Sequence, residues 1–124
     1  MKKILVVDDN LMMRKLIVNL FRNEGYAFEE APDGIEALKL IDHETFDLVI
    51  TDIIMPKMEG IELIIQARKK FPGLKIIAIS GSKPFYLYMA KRLGIECVFT
   101  KPLNHHGFLN KVNRILMDNS PVLS

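Results

Sequence analysis

Five side chains able to bind ions or attack electrophiles stand where short apolar runs end. Asp8 and Asp9 follow residues 4–7, Asp52 follows 48–51, Ser80 follows 75–79, and Lys101 follows 96–100. Three carboxylates brought together repel, so at least one must stay protonated unless a cation joins them. An all-oxygen set without nearby Cys or His suits a small hard ion, Mg²⁺ first and Mn²⁺ as a substitute, rather than zinc. Such an ion invites a phosphate, whose transfer is helped chiefly by positioning and fixed positive charge. The ion can hold one phosphoryl oxygen, the Lys101 ammonium a second, and the Ser80 hydroxyl or a backbone N–H a third. One carboxylate is then left to attack phosphorus and form an acyl phosphate. Asp52 is that candidate, because the adjacent pair Asp8-Asp9 is better suited to the metal.

For these groups to meet, the elements that carry them must lie side by side. Short branched runs without polar alternation, as in Ile4, Leu5, Val6 and Val7, suit parallel strands covered on both faces. Five such runs alternate with stretches of helical period. Met13, Leu16, Ile17 and Leu20 predict a first helix, stopped by Gly25. Asp33 and Glu36 form a capping-box pattern before Ala37, Leu38 and Ile41. Ile61, Ile64, Ile65 and Arg68 mark the third helix. Ser82 can cap a fourth that tolerates Pro84 in its first turn and ends at Gly94. Phe108, Val112, Ile115 and Leu116 form the apolar stripe of the last, which spans about residues 104–117. Strict strand–helix alternation with short connections requires right-handed crossovers and a doubly wound parallel α/β sheet. In such a sheet ligands bind outside the carboxyl ends of the strands, which is where the five polar residues fall.

The bulk properties agree with one domain of this kind. The chain has 124 residues, 49% hydrophobic and 26% charged, which fits a single globular domain. Its formal charge is +2, from 17 Lys and Arg against 15 Asp and Glu, and the basic residues form no stripe, so direct nucleic-acid binding is not expected. Lone Cys97 reads as a small core residue. The start resembles a signal peptide only until Asp8 and Asp9 cut the apolar run, and no stretch approaches the roughly 20 residues of a membrane span. A cytoplasmic protein without a membrane segment is the expectation. Residues 1–118 are read as the domain and 119–124 as a disordered tail or linker stub.

Several motifs in order resemble the response regulator receiver domains of the CheY-like type: Val6-Val7-Asp8-Asp9-Asn10, Asp33-Gly34-Ile35-Glu36-Ala37-Leu38, residues 47–60 around Asp52, Ile79-Ser80-Gly81, and Lys101-Pro102. The resemblance covers residues 2 to about 117. It implies a five-stranded sheet in the order 2-1-3-4-5, with Asp52 phosphorylated by a histidine kinase or phosphotransfer protein. It also implies Mg²⁺ held by Asp9, Asp52 and the Ile54 carbonyl, with Asp8 acting through water. Ser80 would be the hydroxyl that moves toward the phosphate, with Gly81 leaving room beside it. Lys101 would be the counter-charge, followed by a cis bond to Pro102. Such a domain signals to a downstream protein, as a monomer or a phosphorylation-dependent dimer, and is no enzyme beyond its own phosphorylation and slow dephosphorylation.

Two positions depart from the family pattern. Val98 stands where an aromatic ring usually swings inward, and Phe99 cannot replace it because alternate strand residues face opposite ways. The helix carrying Phe85, Tyr86 and Tyr88 is therefore expected to report phosphorylation. Ile54, two residues past the acceptor, gives no help to an attacking water, which implies a long-lived phosphoryl group. A receiver within a longer regulator is a second reading. An aspartate-based phosphatase of the haloacid dehalogenase type would want a second Asp at position 54, and an FMN carrier would not want an acidic first loop. Neighbouring His105 and His106 point in different directions on a helix and read as non-functional. The seven methionines, Met12, Met13 and Met89 among them, read as packing and surface residues.

Overall fold

The computed structural model describes residues 1–55, 58–81, 88 and 91–117. Five parallel strands form one sheet: β1 (Lys3–Val7), β2 (Ala27–Ala31), β3 (Leu48–Asp52), β4 (Lys75–Ser80) and β5 (Cys97–Thr100). Their spatial order is β2-β1-β3-β4-β5, as expected. Among the described residues four helices have defined bounds, α1 (Leu11–Leu20), α2 (Gly34–His43), α3 (Gly60–Lys70) and α4 (His105–Met117). The expected cap at Ser82, Pro84, the aromatics Phe85 and Tyr86, Met89 and the tail at 119–124 lie outside the described residues.

The period of two along each strand builds two cores. Leu5, Val7, Val49, Ile76 and Ala78 face α2 and α3, where Ala37, Ile41, Leu63, Ile64 and Ala67 cover them. Ile4, Val6, Leu48, Ile50, Ile77 and Ile79 face the other way, against Ile17, Phe21, Phe108, Val112, Ile115 and Leu116. Every strand except β2 is apolar on both faces, which explains the unbroken runs. Val98 joins the first core and Phe99 the second, as strand alternation required. The Phe99 ring meets Phe108 edge-on with centroids 4.9 Å apart.

Helix boundaries follow local chemistry. Asn10 caps α1 by accepting from the Met13 N–H at 3.1 Å. Asp33 caps α2, accepting from the Glu36 N–H at 2.9 Å. The Glu36 carboxylate turns to Lys39. Asn104 opens α4 through the Gly107 N–H at 3.0 Å. Gly25 and Gly94 take the positive φ expected of helix stops.

Two helical faces differ from expectation. On α1, Leu16 is exposed and Phe21, just past the helix, is buried instead, because α1 ends at Leu20 and the following turn folds Phe21 under it. On α3 the covered stripe is Gly60, Leu63, Ile64 and Ala67, rotated from the reading on Ile61, Ile65 and Arg68, since Gly60 must face the sheet. Phe108→Ala should therefore cost about 3–5 kcal/mol, and Leu16→Ala no more than about 1 kcal/mol. Urea unfolding midpoints check both; equal losses would contradict this division between core and surface.

Candidate phosphoacceptor and cation site

The carboxyl edge of the sheet collects the predicted residues because backbone pairing continues past the strand ends. The Asp8 N–H donates to the Ala31 carbonyl at 3.1 Å, and the Ile53 N–H to the Ile79 carbonyl at 3.0 Å. The Lys101 N–H donates to the Ser80 carbonyl at 2.8 Å. Each bond pins one rim residue, or its neighbour, to the adjacent strand. Thr51 supports Asp52: its hydroxyl, buried, donates to the Asp52 carbonyl at 2.9 Å.

Asp8, Asp9 and Asp52 offer carboxylate oxygens that all lie within 4.8 Å of one another. Asp8 and Asp52 are buried, whereas Asp9 is exposed. Lys101 Nζ lies 3.1 Å from Asp52 Oδ2, and its side chain is 38% exposed. The Ile54 N–H makes a long 3.4 Å approach to Asp52 Oδ1. One oxygen of Asp8 accepts from the Asn10 N–H at 2.9 Å, while Oδ2 is buried without a donor among the described residues. Ser80 is wholly buried, and its Oγ likewise has no hydrogen-bond partner among the described residues. The Lys101-Pro102 bond is cis. Among the described residues, nothing lies within 4 Å of where a Cβ at Gly81 would sit. His105 and His106 are exposed on α4 and take no part in the cluster.

Burial is the main reason the Asp8 carboxyl is pushed up to about 6. The Asn10 N–H opposes this, Asp52 adds to it, Lys101 opposes it and Asp9 adds to it. Among the described residues Lys101 is the cation paired with a carboxylate of this cluster, which leaves the three under-compensated. The orphaned Asp8 Oδ2 and the all-oxygen donor set fit a hard divalent cation. Cys97 is half-buried with its thiol pushed up to about 11, mainly by burial, which suits packing and not nucleophilic chemistry.

Sequence reading passed over three supports. Asn10 both caps α1 and donates to Asp8, a role its place after the acidic pair could have suggested. Arg14 Nη1 donates to the Asp8 carbonyl at 2.7 Å, yet in sequence it is one basic residue among many. Gly60 donates its N–H to the Ile53 carbonyl at 2.7 Å, and a Cβ there would overlap the Asp52 carbonyl and approach Ile53 Cα to 2.7 Å. Only a bare backbone lets α3 start so close to the acceptor.

The doubly wound sheet with a charged carboxyl edge defines a CheY-like α/β domain, and comparisons give its family. The response regulator receiver domain model matches residues 4–113. The chain is 32% identical to the response regulator receiver protein CpdR of Brucella abortus, over 94% of this chain and 98% of that one. It is 35% identical to part of the sensor kinase/phosphatase CqsS of Vibrio cholerae, over 90% of this chain and 17% of that protein. The crystal structure of a CheY-like receiver domain protein from Methanospirillum hungatei superposes with a TM-score of 0.88 at 33% identity, covering 94% of each chain. This chain therefore belongs to the response regulator receiver domain family. Among the described residues, no helix is long and apolar enough to cross a membrane.

A raised carboxyl makes stability depend on pH in a definite direction. Between the usual 3.8 and about 6, the folded state binds more protons at Asp8 than the unfolded state. Without divalent cation, stability should then fall as pH rises through this window, with the full penalty above about 6. Asp8→Asn should stabilise the cation-free protein by about 1–3 kcal/mol at pH 7.5 and flatten this slope. Urea titrations in chelator at pH 5 and 7.5 check it; a variant less stable than wild type at pH 7.5 would contradict the crowding.

Proposed function

We propose that this chain is a phosphoryl-accepting switch of two-component signalling, with Asp52 as acceptor. The observation that carries the reading is the Asp52 carboxylate, paired with Lys101 at 3.1 Å beside two further carboxylates at the edge of the sheet. An Asp52 oxygen attacks phosphorus on a phosphohistidine of a histidine kinase or phosphotransfer protein. The new P–O bond forms as the P–N bond breaks, and the imidazole keeps the electron pair and later takes a proton. Asp9, Asp52 and the Ile54 carbonyl would hold Mg²⁺ directly and Asp8 through water, and the ion supplies charge neutralisation for the entering phosphoryl group.

Lys101 exchanges one anion for another. In the resting site its ammonium pairs with Asp52, and after transfer it pairs with a phosphoryl oxygen instead. Ser80 Oγ, buried with no partner among the described residues, is a donor held in reserve and turns toward the same group. The Ser80 carbonyl is bonded to the Lys101 N–H, so movement of this strand end reaches the start of the loop beyond β5. Val98 packs in the α2–α3 core without a ring to swing, so the signal leaves through the segment after Ser80 and the region of exposed Tyr88. A downstream protein reads that surface, in the cytoplasm, without direct contact to nucleic acid or membrane. The likeness to a small part of CqsS supports a second reading, in which the same chemistry serves a longer regulator.

Incubation with acetyl phosphate and Mg²⁺ should add one phosphate to the intact mass, and Asp52→Asn should abolish the increment. An equal increment in the variant would place the acceptor elsewhere. Ile54 is 38% exposed beside the acceptor and offers attacking water no hydrogen bond. The phosphorylated protein should therefore decay slowly after acetyl phosphate is removed, and Ile54→Asn should shorten its half-life severalfold. Decay of the wild type as fast as that of the variant would count against this.

A further inference from the structure

The Asp8–Asp9 peptide joins two of the three carboxylates, and it is held from β2 on one side and from α1 on the other. On one side the Asp8 N–H bonds the Ala31 carbonyl. On the other, the Asp8 carbonyl accepts from Arg14 Nη1 at 2.7 Å. Arg14 reaches back from the first turns of α1, and its side chain is only 14% exposed. Its Nε donates to Glu30 Oε1 at 3.1 Å, and the other Glu30 oxygen accepts from Lys15 Nζ at 2.7 Å. One planar guanidinium thus spans the acidic loop and the penultimate residue of β2, a fork that an ammonium cannot reproduce.

We propose that Arg14, braced by Glu30, is a positioning residue for the cation site: it fixes the Asp8–Asp9 peptide so that both carboxylates stay turned toward Asp52. The inference rests on the reading of this cluster as an Mg²⁺ site. Simple electrostatics gives the opposite expectation. A cation bonded to the backbone of the acidic loop disfavours Mg²⁺, so removing Arg14 would tighten binding if charge were its only contribution. Replacing it by lysine would leave affinity unchanged. Positioning demands a loss in both cases, since neither alanine nor lysine can hold the Asp8 carbonyl and Glu30 together.

Titration with MgCl₂ alone, followed by amide chemical shifts of residues 8–10 and 52, tests this in the full chain, with thermal melts alongside. Arg14→Lys and Arg14→Ala should each raise the Mg²⁺ dissociation constant roughly tenfold. Both should also move the Asp9 and Asn10 amide signals before any metal is added. Glu30→Gln should act in the same direction and add little to Arg14→Ala, because it works through the same side chain. If Arg14→Ala fails to fold, Arg14→Lys and Glu30→Gln carry the test. Unchanged or tighter Mg²⁺ binding in Arg14→Lys overturns the proposal, even where the melting temperature falls. A wild type that binds no Mg²⁺ overturns the functional reading and the inference together, whereas wild-type binding with unaffected variants overturns the inference alone.

Discussion

Repulsion among Asp8, Asp9 and Asp52 is the constraint around which this domain is built. Their oxygens lie within 4.8 Å of one another, two of the three side chains are buried, and Lys101 is the cation paired with the acceptor among the described residues. Crowded carboxylates cost stability unless protons or cations offset them. On the proposed reading, an entering divalent ion and phosphoryl group would replace these unfavourable contacts with favourable ones. The Asp8 and Ser80 oxygens that lack partners among the described residues fit this view, since a buried polar group without a partner is costly.

The rest of the fold serves to hold that cluster against its own repulsion. Two apolar cores clamp the sheet from both faces, so strand ends cannot drift apart without exposing Phe108, Leu63 or their neighbours. Backbone bonds that outlast the strands then carry this rigidity to the rim, from Ala31 to Asp8, from Ile79 to Ile53 and from Ser80 to Lys101. Gly60 lets α3 begin directly against the acceptor strand. At this one edge rigidity is supplied by packing and tension by charge.

Much of this was legible in the order of residues. Unbroken apolar runs gave the parallel strands, and polar residues at their ends gave the rim, because sheet geometry alone brings strand ends together. The alternation that separates Val98 from Phe99 was equally plain. What sequence concealed depends on angles and close approaches. The covered face of α3 is set by Gly60 against the Asp52 carbonyl, and the turn after α1 buries Phe21 in place of Leu16. Arg14 gave no signal either, since its meaning comes from partners sixteen residues ahead and six behind, joined only in the folded chain.

Diffraction from crystals soaked in Mn²⁺ tests the central claim most directly, because manganese scatters anomalously and resembles magnesium in its preference for oxygen. The account predicts one anomalous peak bounded by the carboxylates of Asp9 and Asp52 and the Ile54 carbonyl, with Asp8 facing it across a water. Absence of a peak there, with the three carboxylates turned away from one another, would contradict it.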